Sequence, residues 1–300
     1  MNKAKISGVI LLLLAAIVWG FAFAAQRFGM DSLTPAQFNA VRFLMAVIVM
    51  CAVFPVTDKF SSDDASNKTF RNKKLWFCGI LCGVILGSAS LLQQWGLLYA
   101  TAGKGGFLTA LYIVMVPVLG MFMKRKTSPV LWLAVLAALG GSWLLCSPEN
   151  LTDWKIGDIL LILCAVVFAL HILCIDKFAG QLESVRISLI QFLVASVIAF
   201  AVSIALKEVW STDAIVAASV PLLYCAVCSS GIGYTFQIVG QKYVHPVVAS
   251  LLMSLESVFA ALGGWLILKE NMSLQELIGC AVIFAAVLLA QMPDFSKRQK

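Results

Sequence analysis

The chain has 300 residues, of which 61% are hydrophobic and 12% charged, and its mean hydropathy is +0.95. So few charged side chains cannot coat the surface of a soluble globule of this size. The formal net charge of +7 does not indicate nucleic-acid binding, because the basic residues lie in short gaps between apolar segments.

Ten apolar segments follow one another, each near the length of about 20 residues that crosses a bilayer as a helix. Only helices satisfy all backbone polar groups in lipid without a closed barrel, and the alternating pattern of a barrel is missing. We therefore predict an all-α membrane protein with ten transmembrane helices. The segments lie at 6–25, 36–56, 75–98, 105–123, 130–146, 157–175, 184–206, 215–239, 247–268 and 274–291.

The basic residues predict the orientation of these segments. Segment 1 follows Lys3 and Lys5 as a signal peptide would, but its apolar run continues through Phe23 without a clear cleavage site. With the N-terminus in the cytoplasm, 16 of the 22 basic residues fall inside and five outside, while Arg42 lies within segment 2. This bias predicts a multi-pass protein of the cell membrane with both termini in the cytoplasm.

The second half of the chain resembles the first. Residues match at an offset of 149 early in each half and of 144 later, although the identities are few. Five segments per half is an odd number, so the halves would have opposite topology, an inverted repeat typical of secondary transporters. We predict repeats at 1–148 and 149–300. The matches include Ala16 with Ala165, Phe43 with Phe192, Tyr99 with Tyr243, and Leu111 with Leu255.

Several short motifs resemble the EamA-type family of the drug/metabolite transporter superfamily over essentially the whole chain. They are Trp19-Gly20 with Phe23, Arg42-Phe43, Gln94-x-Gly96-Leu97-x-Tyr99 with Pro117, Glu256-Ser257-Val258-Phe259, and Leu268-Lys269-Glu270. The resemblance implies ten helices in two repeats, and export or exchange of small metabolites, often amino acids. The family commonly has proline where Ser257 stands, so we expect segment 9 to be less kinked than segment 4, which keeps Pro117.

Three ionisable residues inside segments are candidates for function, because a charge at mid-membrane costs about 2.5–3.5 kcal/mol. Glu256 lies about 14 Å from the start of segment 9 and could exchange a proton with transport. Arg42 could bind a substrate carboxylate, or it could snorkel to the outer headgroups. His171 could relay protons, or it could be a structural hydrogen-bonding residue.

Uncharged polar and aromatic residues complete the candidate site. Gln94 can hydrogen-bond to substrate or between helices. The aromatic candidates Trp19, Phe23, Tyr112 and Tyr234 could line a cavity for an organic solute, although packing is the alternative for each. We expect segments 1–4 and 6–9 to surround this cavity, with segments 5 and 10 at the periphery.

Other chemistry is not indicated. Cys225 and Cys228 have the spacing of a metal or redox pair, but a second pair is missing and most of the nine cysteines sit in apolar segments. The glycine-rich stretch 103–106 lacks the spacing of a phosphate-binding loop. No catalytic constellation is found, so we predict neither an enzyme nor a cofactor.

The sequence thus predicts a secondary transporter that exports or exchanges small organic metabolites such as amino acids by alternating access. Its partners would be the small-molecule substrate and the lipid bilayer, with proton coupling through Glu256 and no nucleic acid. Two alternatives remain: a non-transporting membrane sensor or assembly protein, and a transporter of nucleotide sugars or lipid-linked head groups. The second would need a basic cavity, whereas Arg42 is the one arginine or lysine deep in the interior of a segment. Substrate, direction and oligomeric state cannot be read from the sequence.

Overall fold

A computed structural model describes residues 3–60, 70–100, 102–146, 155–178, 180, 182–268 and 272–291. Every regular element within these ranges is a helix. The elements are α1 (Lys3–Gly29), α2 (Pro35–Phe60), α3 (Lys73–Gly96), α4 (Ala102–Ala110), α5 (Tyr112–Phe122), α6 (Pro129–Cys146), α7 (Ile156–Phe178), α8 (Ser184–Ala205), α9 (Thr212–Ala217), α10 (Ser219–Tyr224), the π-helix π1 (Cys225–Tyr234), α11 (Thr235–Gln241), α12 (Pro246–Met253), α13 (Glu256–Leu268) and α14 (Leu274–Gln291).

Nine stretches of helix in this part of the chain are long and apolar enough to cross a membrane, and Pro129–Leu145 is a shorter apolar helix at the place of segment 5. Large apolar side chains such as Ile48, Phe122 and Leu133 are more than half exposed, as expected of surfaces that contact lipid tails. The all-helical prediction is confirmed for the described residues.

Segments 4 and 9, predicted as continuous helices, are each interrupted in the middle. Segment 4 breaks at Leu111, between α4 and α5, and segment 9 breaks at Ser254–Leu255, between α12 and α13. The two breaks occupy the same place in the two halves, since the offset of 144 carries Leu111 onto Leu255.

Segment 9 is interrupted although Ser257 stands where the family commonly has proline, so the break there does not depend on a proline. The hydroxyls of Ser250, Ser254 and Ser257 each donate to the carbonyl three residues earlier, at 2.8 Å. Hydroxyls that bond to the backbone in this way compete with regular helical pairing and bend a helix. In segment 4 the break precedes Pro117 by six residues.

Segment 8 also departs from a continuous α-helix. It begins with the short helix α9, which Ser211 caps through its side chain, and continues as α10, π1 and α11. π-helical turns are rare and concentrate at functional sites. Its counterpart in the first half, α3, is a regular α-helix through the equivalent residues.

The same close contacts recur in both halves with the partners exchanged. A Cβ built on Gly8 of α1 would lie 2.9 Å from the carbonyl oxygen of Gly240 in α11. A Cβ built on Gly157 of α7 would lie 2.8 Å from the carbonyl oxygen of Gly96 in α3. The offsets carry Gly8 onto Gly157 and Gly96 onto Gly240, so each contact is the counterpart of the other.

Pairs of neighbouring residues give the relative directions of the helices. α1 runs opposite to π1–α11, α2 runs along π1, α8 runs opposite to α2, α3 runs along α8, and α7 runs opposite to α3. The defining pairs are Trp19 with Ser229, Gly8 with Gly240, Arg42 with Cys225, Met50 with Gly231, Phe43 with Phe192, Ala40 with Ser196, Gly79 with Ile190, Gly87 with Ala195, Cys82 with Cys174, and Gly96 with Gly157.

The helices α6 and α14 pack extensively against each other. Gly141 of α6 lies against Ile283, and Gly279 of α14 lies against Leu145, so the two helices are antiparallel and closely packed. Neither helix contributes a side chain to the cavity described below.

Candidate transport site

A cavity lies between the two halves of the chain, and residues of both halves line it. From the first half it is lined by Trp19, Ala22, Phe23, Gln26, Arg42, Gln93, Thr109 and Tyr112. From the second half it is lined by Phe168, Ile172, Ser229, Tyr234, Gln237, Met253 and Glu256.

Six of the eight predicted site residues lie on this cavity: Trp19, Phe23, Arg42, Tyr112, Tyr234 and Glu256. Gln94 and His171 do not, and both are fully buried behind the lining. Gln94 donates from Nε2 to the carbonyl of Gln26 at 3.3 Å. The nitrogen Nε2 of His171 lies 3.2 Å from Oε1 of Gln191, and the ring packs edge-on against Tyr234.

Segment 7 was predicted to line the cavity, but α8 contributes no side chain to the lining described here. Its nearest polar group, Gln191, is paired with His171 and lies behind the ring of Tyr234. The ring of Phe192 stacks on Phe43 and packs edge-on against Tyr234, and it does not line the cavity.

Glu256 is the carboxylate of the cavity. It is the first residue of α13, directly after the break in segment 9, and is 6% exposed. Its Oε1 accepts a hydrogen bond of 3.0 Å from Oη of Tyr112, the first residue of α5 after the break in segment 4. The offset of 144 carries Tyr112 onto Glu256, so this hydrogen bond joins equivalent positions of the two halves.

Arg42 is the cation of the cavity. Its side chain is buried, at 2% exposure, and therefore does not snorkel to a headgroup region. It donates from Nη1 to Oε1 of Gln26 at 3.2 Å, and its guanidinium lies 4.5 Å from the centre of the Phe43 ring. Among the described residues no carboxylate lies within ion-pairing distance of it, and its Nε has no hydrogen-bond partner. A buried guanidinium in this state suits an anionic ligand.

Aromatic rings form the apolar wall. Trp19 and Tyr234 have ring centroids 4.9 Å apart. The indole Nε1 of Trp19 donates to the carbonyl of Ser229 at 3.0 Å, which satisfies a backbone group of π1. The π-helix therefore places both Ser229 and Tyr234 at the cavity while Trp19 holds one of its carbonyls.

Ten of the lining residues form five equivalent pairs under the two offsets. The pairs are Trp19 with Phe168, Phe23 with Ile172, Gln93 with Gln237, Thr109 with Met253, and Tyr112 with Glu256. Sequence reasoning missed nine lining residues as site residues: Ala22, Gln26, Gln93, Thr109, Phe168, Ile172, Ser229, Gln237 and Met253. Applying the repeat offset to the predicted Trp19 and Phe23 would have found Phe168 and Ile172.

Charged residues away from the cavity tie helices together. Nζ of Lys104 lies 2.7 Å from Oδ2 of Asp158, and Arg125 pairs with Asp176. Cys225 and Cys228 are free thiols, and no group of three potential metal ligands occurs in the part of the chain that the structure describes.

The fold and this cavity define a polytopic helical membrane protein with a cavity between two related halves. A model of the EamA-like transporter family matches residues 6–147 and again residues 155–292. The chain therefore belongs to the EamA-like transporter family and is a multi-pass membrane transporter.

Known proteins agree with this assignment. The chain is 28% identical over 293 residues to an uncharacterized transporter of Archaeoglobus fulgidus, with 94% of this chain and 84% of that protein covered. It also resembles a protein of known crystal structure, with a TM-score of 0.76 and 16% identity over 95% of this chain and 96% of the other. The latter similarity concerns the fold alone.

Proposed function

We propose that the chain is a secondary transporter that carries a small carboxylate-bearing organic metabolite, such as an amino acid, across the cell membrane. The observation that carries this proposal is the guanidinium of Arg42. It is buried, no carboxylate of the described residues lies within ion-pairing distance of it, and it lies on a cavity lined by both halves. The aromatic wall of Trp19, Phe168 and Tyr234 suits an apolar side chain, and the amides around it suit polar groups. Export or exchange is what the family resemblance implies.

An inverted repeat of ten helices, with repeats at 1–148 and 149–300, is the architecture that we infer. Following the helix directions from α1 through π1, α2, α8 and α3 to α7, α1 and α7 run oppositely, as first helices of inverted repeats must. The exchanged contacts of Gly8–Gly240 and Gly157–Gly96 support the same relation. Such a pair of halves moves a central site between two faces by alternating access.

Glu256 is the group that we propose to exchange protons during transport. It lies on the cavity, and an ionisable group inside a membrane is a functional candidate by default. The phenol of Tyr112 positions the carboxylate. His171 is paired with Gln191 behind the lining, so it is the weaker candidate for this role.

The orientation with both termini in the cytoplasm rests on the 16 basic residues on that side. Single cysteines introduced at Asn67 and Asn150 of a cysteine-free variant test it; both positions lie outside the described residues. A membrane-impermeant maleimide applied to whole cells should label position 150 and leave position 67 unlabelled until the membrane is opened. The reverse pattern would contradict the orientation.

Binding of L-phenylalanine tests the substrate class, because this amino acid combines a carboxylate with an aromatic side chain. L-phenylalanine should raise the melting temperature of the purified protein, whereas L-phenylalanine amide, which lacks the carboxylate, should not. Arg42→Gln introduces the residue found at the equivalent position of the second half, Gln191. This variant should abolish the rise in melting temperature. Equal shifts with acid and amide, or a full shift in the variant, would contradict carboxylate binding at Arg42.

A further inference from the structure

Two glutamines occupy equivalent positions of the cavity. Gln93 of α3 and Gln237 of α11 are separated by the offset of 144 that also relates Gly96 to Gly240. Both line the cavity, and both are at least nine-tenths buried. Of the five equivalent pairs of lining residues, this is the one with the same residue in both halves.

The axis that relates the halves passes through the cavity region. Phe43 stacks on its own counterpart Phe192, with ring centroids 6.0 Å apart. Tyr112 likewise donates to its own counterpart Glu256. A two-fold axis runs between residues that touch their own counterparts, so it runs between the members of each pair. A ligand held near that axis is reached by Gln93 from one half and by Gln237 from the other.

Both amides lie on the cavity, and Gln237 has an unused hydrogen-bond acceptor there. Oε1 of Gln237 is buried without a partner among the described residues. Gln94 and Gln241 also have an Oε1 without a partner, but their Nε2 groups donate to backbone carbonyls of neighbouring helices, and neither residue lies on the cavity. A buried polar atom left unpaired is costly, so an atom of this kind that faces a cavity suits a ligand.

We propose that Gln93 and Gln237 are a pair of ligand-binding amides that exchange roles between the two open states of the transporter. This inference rests on the proposed function. In an inverted repeat, each half adopts in one state the conformation that the other half adopts in the opposite state. The contact that Gln93 makes with a ligand when one face is open is then made by Gln237 when the other face is open.

The charged lining residues cannot exchange roles in this way. The counterpart of Arg42 is Gln191, which lies off the cavity, and the counterpart of Glu256 is Tyr112. Their contacts with a ligand differ in chemistry between the two states. The glutamine pair therefore supplies the ligand contact that is equivalent on both faces.

The test measures transport from each face separately. Right-side-out and inverted membrane vesicles are prepared from one bacterial host, and uptake of radiolabelled L-phenylalanine is measured after subtraction of vesicles without the protein. The variants are Gln93→Met, Gln237→Met and the double variant, with Gln241→Met as the matched control, because that glutamine is buried but off the cavity. Gln93→Asn and Gln237→Asn shorten the side chain and keep the amide, in case a Met variant does not fold.

Losing one hydrogen bond to the ligand should raise KM by about threefold to tenfold. Gln93→Met should raise KM mainly at one face, and Gln237→Met should raise it mainly at the other. The double variant should raise KM at both faces, and Gln241→Met should leave KM unchanged at both. Single variants that raise KM equally at both faces, or at neither face, would overturn the exchange of roles and leave the proposed function standing. A wild-type protein that carries no L-phenylalanine would overturn the proposed function, and the inference with it.

Discussion

Two equivalent helix contacts of this protein are held together by different chemistry. The α7 seam, where α4–α5 meets α7, has ion pairs at both ends, Lys104 with Asp158 and Arg125 with Asp176. Its counterpart is the α1 seam, where α12–α13 meets α1, and there Val248 and Val9 stand at the positions equivalent to the first pair. In the α1 seam the helices instead approach closely at Gly20.

The difference shows that similar helix arrangements do not require the same contacts. The α1 seam carries Glu256, whose backbone carbonyl lies 2.8 Å from where a Cβ of Gly20 would stand. At the equivalent position of α7 the residue is Ala169, so that half accommodates a methyl group. The seam that carries the cavity carboxylate Glu256 is therefore closely packed, whereas the seam that carries its counterpart Tyr112 has ion pairs at its ends.

The largest effect is expected from Gly20→Val in the α1 seam. The added side chain meets backbone atoms of Glu256 and Ala260 at 2.8 Å, and backbone cannot yield as a flexible side chain can. Overpacking of this kind should destabilise the protein by about 3 kcal/mol or more, seen as a lower melting temperature in detergent. Gly140→Val is the control, since nothing lies within 4 Å of its Cβ position. An unchanged melting temperature for Gly20→Val would show that the seam is not tightly packed.

A smaller loss is expected from Lys104→Met in the α7 seam. The variant leaves the carboxylate of Asp158, 1% exposed, with the backbone N–H of Lys155 as a remaining donor. We expect destabilisation of about 1–3 kcal/mol, less than for a fully buried pair because Lys104 is 20% exposed. The double variant Lys104→Met, Asp158→Leu removes the stranded charge and should recover part of the loss. Strictly additive losses would contradict an ionic seam.

Sequence reasoning reached the all-helical membrane fold, and it identified six lining residues because charged and aromatic side chains stand out in apolar segments. It predicted Gln94 as a site residue, whereas Gln93 lines the cavity. When a helix is apolar on all sides, its sequence does not show which side faces the cavity. Sequence reasoning tied the kink of segment 9 to a proline, whereas three serines bond to the backbone there. The pairing of Tyr112 with Glu256 required the two breaks to be seen in three dimensions.

The smallest effect is expected from Trp19→Phe, which makes the first half like the second, where Phe168 stands at the equivalent place. The ring is kept, but the hydrogen bond to the carbonyl of Ser229 is lost. We expect a cost of about 1 kcal/mol in stability and faster hydrogen exchange within π1. Trp265→Phe, at an exposed position of α13, serves as the control. Unchanged exchange in π1 would show that the indole does not hold the π-helix.

The most direct test of the central claim, that the cavity is a transport site whose carboxylate carries the proton, is L-phenylalanine transport by Glu256→Gln in proteoliposomes. Glutamine keeps the size of the side chain and a hydrogen-bonding oxygen near Tyr112, but it cannot exchange a proton. We expect transport driven by a pH gradient to be abolished while counterflow of L-phenylalanine without a gradient survives, because binding at Arg42 is intact. Full gradient-driven transport by the variant would contradict the account.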